Sequence, residues 1–85
     1  MAMTHAVTIQ VQCLGQLGEL VSRSPMTITC GTSVADAIDT LVATHPAIAA
    51  MSQSIALATD DGYLTDTAVL TDGMSVLVVP PISGG

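Results

Sequence analysis

The sequence has 85 residues, which is enough for one small domain with a single hydrophobic core and too few for a two-domain enzyme. Apolar residues make up 49% of the chain and charged residues 9%, and this composition indicates an aliphatic core rather than a disordered chain. The net charge is −6 at pH 7, with Arg23 as the sole Lys or Arg residue. This balance argues against binding to nucleic acid or to anionic membranes, because both are bound through cationic side chains.

The chain carries no predicted membrane or export segment. Polar residues interrupt every apolar stretch well before 18 residues, so no transmembrane helix is predicted. No Lys or Arg precedes an apolar block near Met1, which argues against a secretory signal and makes a cytoplasmic location the expectation. In that compartment Cys13 and Cys30 are expected as two buried thiols rather than as a disulfide.

Two strands joined by a turn are predicted at the start of the chain. Apolar and polar residues alternate from Val7 to Cys13, which predicts a strand with one buried face. Residues 15–24 include two glycines and precede Pro25, so they predict a turn of the chain. A second alternating segment, Met26 to Cys30, predicts a strand antiparallel to the first.

A single amphipathic helix is predicted in the middle of the chain. Apolar residues recur at spacings of three and four from Val34 to Val42, which places them on one stripe of a helix. Thr32 or Ser33 can cap the N-terminus, and Ser33 with Asp36 forms an imperfect capping box. Pro46 then ends the helix.

The second half of the chain predicts short strands separated by turns. Residues 47–53 show no decisive pattern, whereas Ser54 to Ala58 predicts a third strand. Residues 59–62 predict a turn in which glycine supplies a positive φ, and Tyr63–Leu64 predicts a short strand segment. A further turn is predicted at Thr71-Asp72-Gly73.

The last predicted strand, Met74 to Val79, has two distinct faces. Its alternation assigns Val76 and Val78 to the face that the helix covers, and Leu77 and Val79 to the open face. The simplest fold for these elements is α+β, with a mixed sheet of four to five strands and one main helix across one face. Residues 1–79 are predicted to form this domain, and residues 80–85 are predicted to form a flexible tail.

The tail is the candidate functional segment. Two prolines cannot continue a central strand, so the chain must leave the sheet at Pro80. Six extended residues reach about 20 Å. Gly84 and Gly85 carry no Cβ, so they form the slimmest chain that can enter a narrow channel and present a carboxylate inside a partner.

Coupled to the predicted order of elements, the final segment Pro80-Pro-Ile-Ser-Gly-Gly85 resembles the ubiquitin-like β-grasp sulfur carriers. Preceded by Leu70-Thr-Asp-Gly73, it looks like the small subunit of molybdopterin synthase, the MoaD family. Thiamine-pathway carriers of the ThiS type are similar in fold but usually lack the double proline. The segment Gln16-Leu-Gly-Glu-Leu20 resembles the family's motif after the first strand, with Gly18 where an arginine is common.

The resemblance implies a carrier whose reacting group is the Gly85 carboxylate. An E1-like enzyme would adenylate this carboxylate with ATP, and a sulfur donor protein would convert it to a thiocarboxylate. The sulfur would then pass to a pyranopterin precursor held by the large subunit of molybdopterin synthase, in a heterotetramer. The chain itself is expected to bind no cofactor and to catalyse nothing alone. Residues expected to contact these partners are Leu77, Val79, Pro80, Pro81, Ile82 and Ser83.

Other functions stay open at this point. The same tail suits a sulfur carrier for thiamine, cysteine or thiolated tRNA, a ubiquitin-like modifier that forms isopeptides through Gly85, or a binding module with an inert tail. A metal site is not expected, because the two cysteines, His5 and His45 lack the paired spacings of zinc ligands. No catalytic triad is expected either, since His45 lies beside a helix-ending proline.

Overall fold

The computed structural model describes residues 6–65 and 67–80, and it confirms the predicted α+β class. The predicted strands and main helix occur in the expected order, with two short helical elements added between them. Its elements are β1 (Ala6–Cys13), α1 (Gln16–Leu20), β2 (Met26–Gly31), α2 (Val34–Thr44), a 3₁₀ segment (Pro46–Ser54), β3 (Ala56–Thr59), β4 (Gly62–Tyr63) and β5 (Ser75–Val79).

The five strands form one mixed sheet in the order β2-β1-β5-β3-β4. β1 and β2 are antiparallel, as predicted, with Val7 opposite Cys30. β1 and β5 are parallel, with Val11 opposite Val76, and β3 is antiparallel to both of its neighbours. The last strand therefore lies at the centre of the sheet, between the first strand and the third.

The prediction of a turn at residues 15–24 missed a short helix, because α1 forms within this segment. The helix has five residues, too few for the apolar period of a helix to show in the sequence. Gly18 is also a poor helix former. What holds the helix is burial of Leu17, which is 0% exposed in the core.

α2 confirms the predicted helix. The backbone N–H of Asp36 donates a hydrogen bond of 3.0 Å to the hydroxyl of Ser33, which is the N-cap. The helix ends at Thr44, with His45 as its C-cap ahead of Pro46. Its buried stripe, Val34, Ala37 and Leu41, packs against one face of the sheet.

Residues 47–53, which show no decisive pattern in the sequence, lie in the 3₁₀ segment Pro46–Ser54. The fully buried Ile48 anchors this segment in the core. β3 begins at Ala56 rather than at the predicted Ser54, because the 3₁₀ turn runs through Ser54 and Ile55 serves as its C-cap. The predicted glycine turn is confirmed, with Gly62 at φ +119°.

The core lies between α2 and one face of the sheet. Val76 and Val78 are 3% and 0% exposed, whereas Leu77 and Val79 are partly exposed on the opposite face. The predicted assignment of the two faces of β5 is therefore confirmed. The fully buried large side chains are Ile9, Val11, Leu17, Leu41, Ile48, Leu57, Leu70 and Val78.

Candidate functional site

The chain leaves the sheet at a junction that we call the tail base, formed by Leu14, Gly15, Val78 and Pro80. The backbone N–H of Leu14 donates a hydrogen bond of 2.9 Å to the carbonyl of Val78, which extends the parallel pairing of β1 and β5 by one residue. β5 ends at Val79, and Pro80 has no N–H with which to continue the pairing. The predicted site residues outside the described part of the chain are Pro81, Ile82, Ser83, Gly84 and Gly85.

Gly15 lies directly beside Pro80 at the tail base. Its backbone has φ +53° and ψ −135°, a conformation that favours glycine. A Cβ on Gly15 would lie 3.2 Å from Cγ of Pro80 and 3.9 Å from its Cδ. From the sequence, Gly15 is predicted only as part of the turn at residues 15–24, because its neighbour Pro80 lies 65 positions away in the chain.

The open face of the sheet carries five apolar residues that we call the open-face patch: Ala56, Ala58, Tyr63, Leu77 and Val79. Ala58 is buried at 8% exposure, and the other four are partly or fully exposed. Ala58 lies opposite both Leu77 and Tyr63, and Ala56 lies opposite Val79, so these side chains share one face. Tyr63 is 64% exposed. The sequence placed Leu77 and Val79 on this face but missed the other three residues, because cross-strand register is not visible in the sequence.

A groove on the open face adjoins Leu77 of the patch. Its lining includes the polar residues Gln10, Gln12, Thr59, Asp60, Asp61 and Ser75. The two aspartates are exposed, so this part of the surface is acidic. A complementary partner surface would be apolar opposite the patch and would carry cations or hydrogen-bond donors opposite the aspartates.

Gly18 departs from the resembled family's pattern, and its packing gives the reason. A Cβ on Gly18 would lie 3.2 Å from the carbonyl oxygen of Cys13 and 3.1 Å from Cγ of Arg23. A side chain at this position would therefore crowd both neighbours. Arg23 forms a salt bridge with Glu19, with 3.2 Å between the guanidinium and the carboxylate. Both side chains are exposed, so this salt bridge contributes little stability.

The two thiols are buried and far apart. Cys30 lies opposite Val7, and Cys13 follows six residues later on β1 (13 − 7 = 6), or about 20 Å along the strand. This separation excludes a disulfide, as predicted. Burial raises the pKa of both thiols, and the Asp36 carboxylate raises the pKa of Cys30 further.

The residues from 6 to 65 and from 67 to 80 contain no group of three His, Cys, Asp or Glu side chains placed to hold a metal ion. His45 caps α2 through its backbone N–H, which donates to the carbonyl of Leu41 at 2.8 Å, and His5 lies outside the described residues.

No helix in the described residues, 6–65 and 67–80, is long and apolar enough to cross a membrane.

Comparison with known proteins gives two matches in sequence. A family model described as the ThiS family matches residues 11–85. The molybdopterin synthase sulfur carrier subunit of Arabidopsis thaliana is 29% identical over 84 residues, which cover 96% of this chain and 88% of that protein. The similarity to both therefore extends over nearly the whole chain.

Solved structures show the same fold. Small archaeal modifier protein 1 from Haloferax volcanii is similar with a TM-score of 0.72 and 18% identity, over 89% of this chain and 99% of that chain. The protein of the same name from Methanosarcina acetivorans has a TM-score of 0.73 and 19% identity, over 95% and 99% of the two chains. These likenesses confirm the predicted ubiquitin-like β-grasp fold.

Proposed function

Because the chain belongs to the ThiS family, we propose that it is the sulfur-carrier subunit of molybdopterin synthase. The observation that carries the proposal is the similarity, along 84 residues, to a protein named as that subunit in Arabidopsis. The family match bears out the resemblance drawn from the tail and the predicted order of elements.

The proposed reacting group is the carboxylate of Gly85, taken as the C-terminus. An ionised carboxylate is a poor electrophile, so an E1-like partner would first form an acyl-adenylate from ATP with release of pyrophosphate. Sulfide (HS⁻) supplied by a donor protein would attack the adenylate carbonyl, form the C–S bond, displace AMP and leave a thiocarboxylate. Gly85 would thus carry sulfur covalently and divide one difficult step into two easier ones.

A larger subunit would supply the site at which the sulfur is transferred. This chain offers few cations for anionic precursors, since its single Arg or Lys residue, Arg23, pairs with Glu19. We therefore propose a non-catalytic role within a heterotetramer, with the pyranopterin precursor bound by the large subunit.

Docking of the body is proposed to use the open-face patch, which lies on the strand that leads into the tail. Leu77 and Val79 are partly exposed there, and Pro80 follows directly. A partner that covers this face would bury apolar area while the tail enters its active site. The groove beside Asp60 and Asp61 would favour a basic partner surface.

The test is mass spectrometry of the chain isolated from its native cells. Replacement of one carboxylate oxygen by sulfur adds about 16 Da to the C-terminal fragment. The matched variants delete Gly85 or add one residue after it, and both should abolish thiocarboxylation while the thermal midpoint stays unchanged. Normal thiocarboxylation of the deletion variant would refute the proposal.

A protein modifier is the second candidate function, favoured by the structural likeness to a protein named small archaeal modifier protein 1. The same mass spectrometry separates the two candidates, because a modifier gives conjugates in which Gly85 is joined to lysines of other proteins. A carrier for thiamine, cysteine or thiolated tRNA would show the thiocarboxylate, and its pathway would be identified by which purified sulfur acceptor takes the sulfur.

A further inference from the structure

Three described glycines have a positive φ, and one of them differs from the others in its surroundings. Gly62 and Gly73 have φ +119° and +83°, and a Cβ on either would meet nothing within 4 Å. A turn conformation alone accounts for these two glycines. A Cβ on Gly15 would meet Cγ of Pro80 at 3.2 Å, which is tighter than ordinary van der Waals contact.

This contact lies beside two fixed points of the backbone. On one side, the N–H of Leu14 is bonded to the carbonyl of Val78 at 2.9 Å. On the other side, α1 begins at Gln16 and is anchored by the buried Leu17. Gly15 is therefore held between β1 and α1, and Pro80 rests on a surface with little freedom to shift.

We propose that Gly15 is a positioning residue, which by lacking a side chain lets Pro80 rest against the β1–α1 junction and so sets the direction in which the chain leaves the sheet. The proposal rests on the proposed function in one respect, namely that the segment after Pro80 is the one offered to an activating enzyme. A Cβ on Gly15 would push the proline ring outward and redirect that segment. Val79 of the open-face patch directly precedes Pro80, but its pairing with Ala56 holds it in the sheet, so binding of the body should change less than delivery of that segment.

The experiment measures adenylation of the full chain by its activating enzyme in the presence of ATP. We expect Gly15→Ala to lower kcat by about tenfold or more, since a small misplacement of a reacting group is costly, and to leave the KM for the carrier nearly unchanged. Gly73→Ala is the matched control: it imposes the same kind of backbone strain far from the tail base and should leave kcat unchanged. Thermal midpoints of both variants establish that each is folded at the assay temperature.

The double variant Gly15→Ala/Pro80→Ala tests whether the effect acts through the proline ring. Alanine at position 80 lacks the Cγ and Cδ atoms that a Cβ on Gly15 would meet. The kcat of the double variant should therefore lie close to the kcat of Pro80→Ala alone. No recovery, or an equal loss of kcat in Gly73→Ala, would overturn the proposal.

A measurement without any partner separates this proposal from the function on which it rests. In the free protein, nuclear Overhauser effects should connect the α protons of Gly15 with the ring protons of Pro80, and they should weaken in Gly15→Ala. Their absence in the wild type would overturn the positioning role. Failure of the wild type to be adenylated while these contacts are present would count against the proposed function alone.

Discussion

The carboxylate of Asp72 accepts a hydrogen bond of 2.8 Å from the backbone N–H of Thr8, a residue 64 positions earlier in the chain. The N–H of Gly73 donates to the carbonyl of the same Thr8, also at 2.8 Å. The turn before β5 thus forms hydrogen bonds with both the N–H and the carbonyl of Thr8 on β1. These bonds fix the register of the parallel pair at the end opposite the tail base.

Asp72→Ala should lower the free energy of unfolding by about 1 kcal/mol, because it removes one hydrogen bond between a carboxylate and a partly solvated N–H. Asp72→Asn keeps an acceptor oxygen and should lose less. Urea unfolding of the two variants provides the measurement, with Asp60→Ala at an exposed turn as the control. Equal stability of Asp72→Ala and the wild type would show that the bond contributes nothing.

Leu77→Asp and Val79→Asp should each weaken binding to the activating enzyme or the large subunit. Burial of roughly 60–100 Å² of apolar area at about 25 cal/mol per Å² corresponds to about 1.5–2.5 kcal/mol, or more than tenfold in Kd. An unpaired carboxylate in the contact would add to this loss. Binding titrations with purified partner measure the effect.

Val76→Asp and Val78→Asp are the matched variants on the opposite face of β5. These side chains are 3% and 0% exposed, so a charge there enters the hydrophobic core and should unfold the domain. Thermal melting of all four variants tests the contrast. Normal partner affinity in both Leu77→Asp and Val79→Asp would show that docking uses another surface.

The stability of the domain should fall at alkaline pH. Burial raises the pKa of Cys13 and Cys30 above the ordinary value of 9.0, so the unfolded chain releases these thiol protons at a lower pH than the folded chain does. The part of the free energy of unfolding that depends on the protonated thiols is therefore fully present below about pH 9. It is lost as the pH rises through the pKa values of the folded state. Urea unfolding from about pH 7 to about pH 10 measures it.

The control for this pH dependence is a Cys13→Ala/Cys30→Ala variant, in which the alkaline loss of stability should become smaller. Asp36→Asn should act on Cys30 alone, since the Asp36 carboxylate is the second cause of its raised pKa after burial. An identical pH profile in the wild type and the double variant would contradict the assignment to the thiols.

The chain should not conjugate to copies of itself through isopeptide bonds. It contains no lysine, so no ε-amine is present to attack an activated Gly85 carbonyl and expel AMP. With ATP and the activating enzyme, gels run under reducing conditions should show no self-conjugates. An Ala43→Lys variant places an amine at an exposed position of α2 and supplies the missing acceptor. Isopeptide-linked copies of the wild type would contradict this expectation.

The strongest predictions from sequence concerned segments whose pattern repeats. α2 has eleven residues and shows a full apolar stripe, and the alternation of β5 gave the correct face for each valine and leucine. α1 was missed because five residues with one buried leucine form no period. Its stability comes from tertiary burial, which local sequence does not encode.

The site was predictable only in part for a similar reason. Leu77 and Val79 could be assigned to the open face from alternation, but Ala58 and Tyr63 join them only through strand pairing. Gly15 meets Pro80 across 65 positions (80 − 15 = 65), so its contact depends on the complete fold. The roles proposed for Pro81 to Gly85 and the division at residue 79 stay predictions.

The pairing of β1 with β5 is also needed to form the tail base and the open-face patch. Gln10 and Ser75, 65 positions apart, are side-by-side residues of β1 and β5, so this pairing closes a long loop at an entropic cost. A chain whose β5 has not joined the sheet has neither the tail base nor the open-face patch. A partner that needs both features would therefore bind only completely folded molecules.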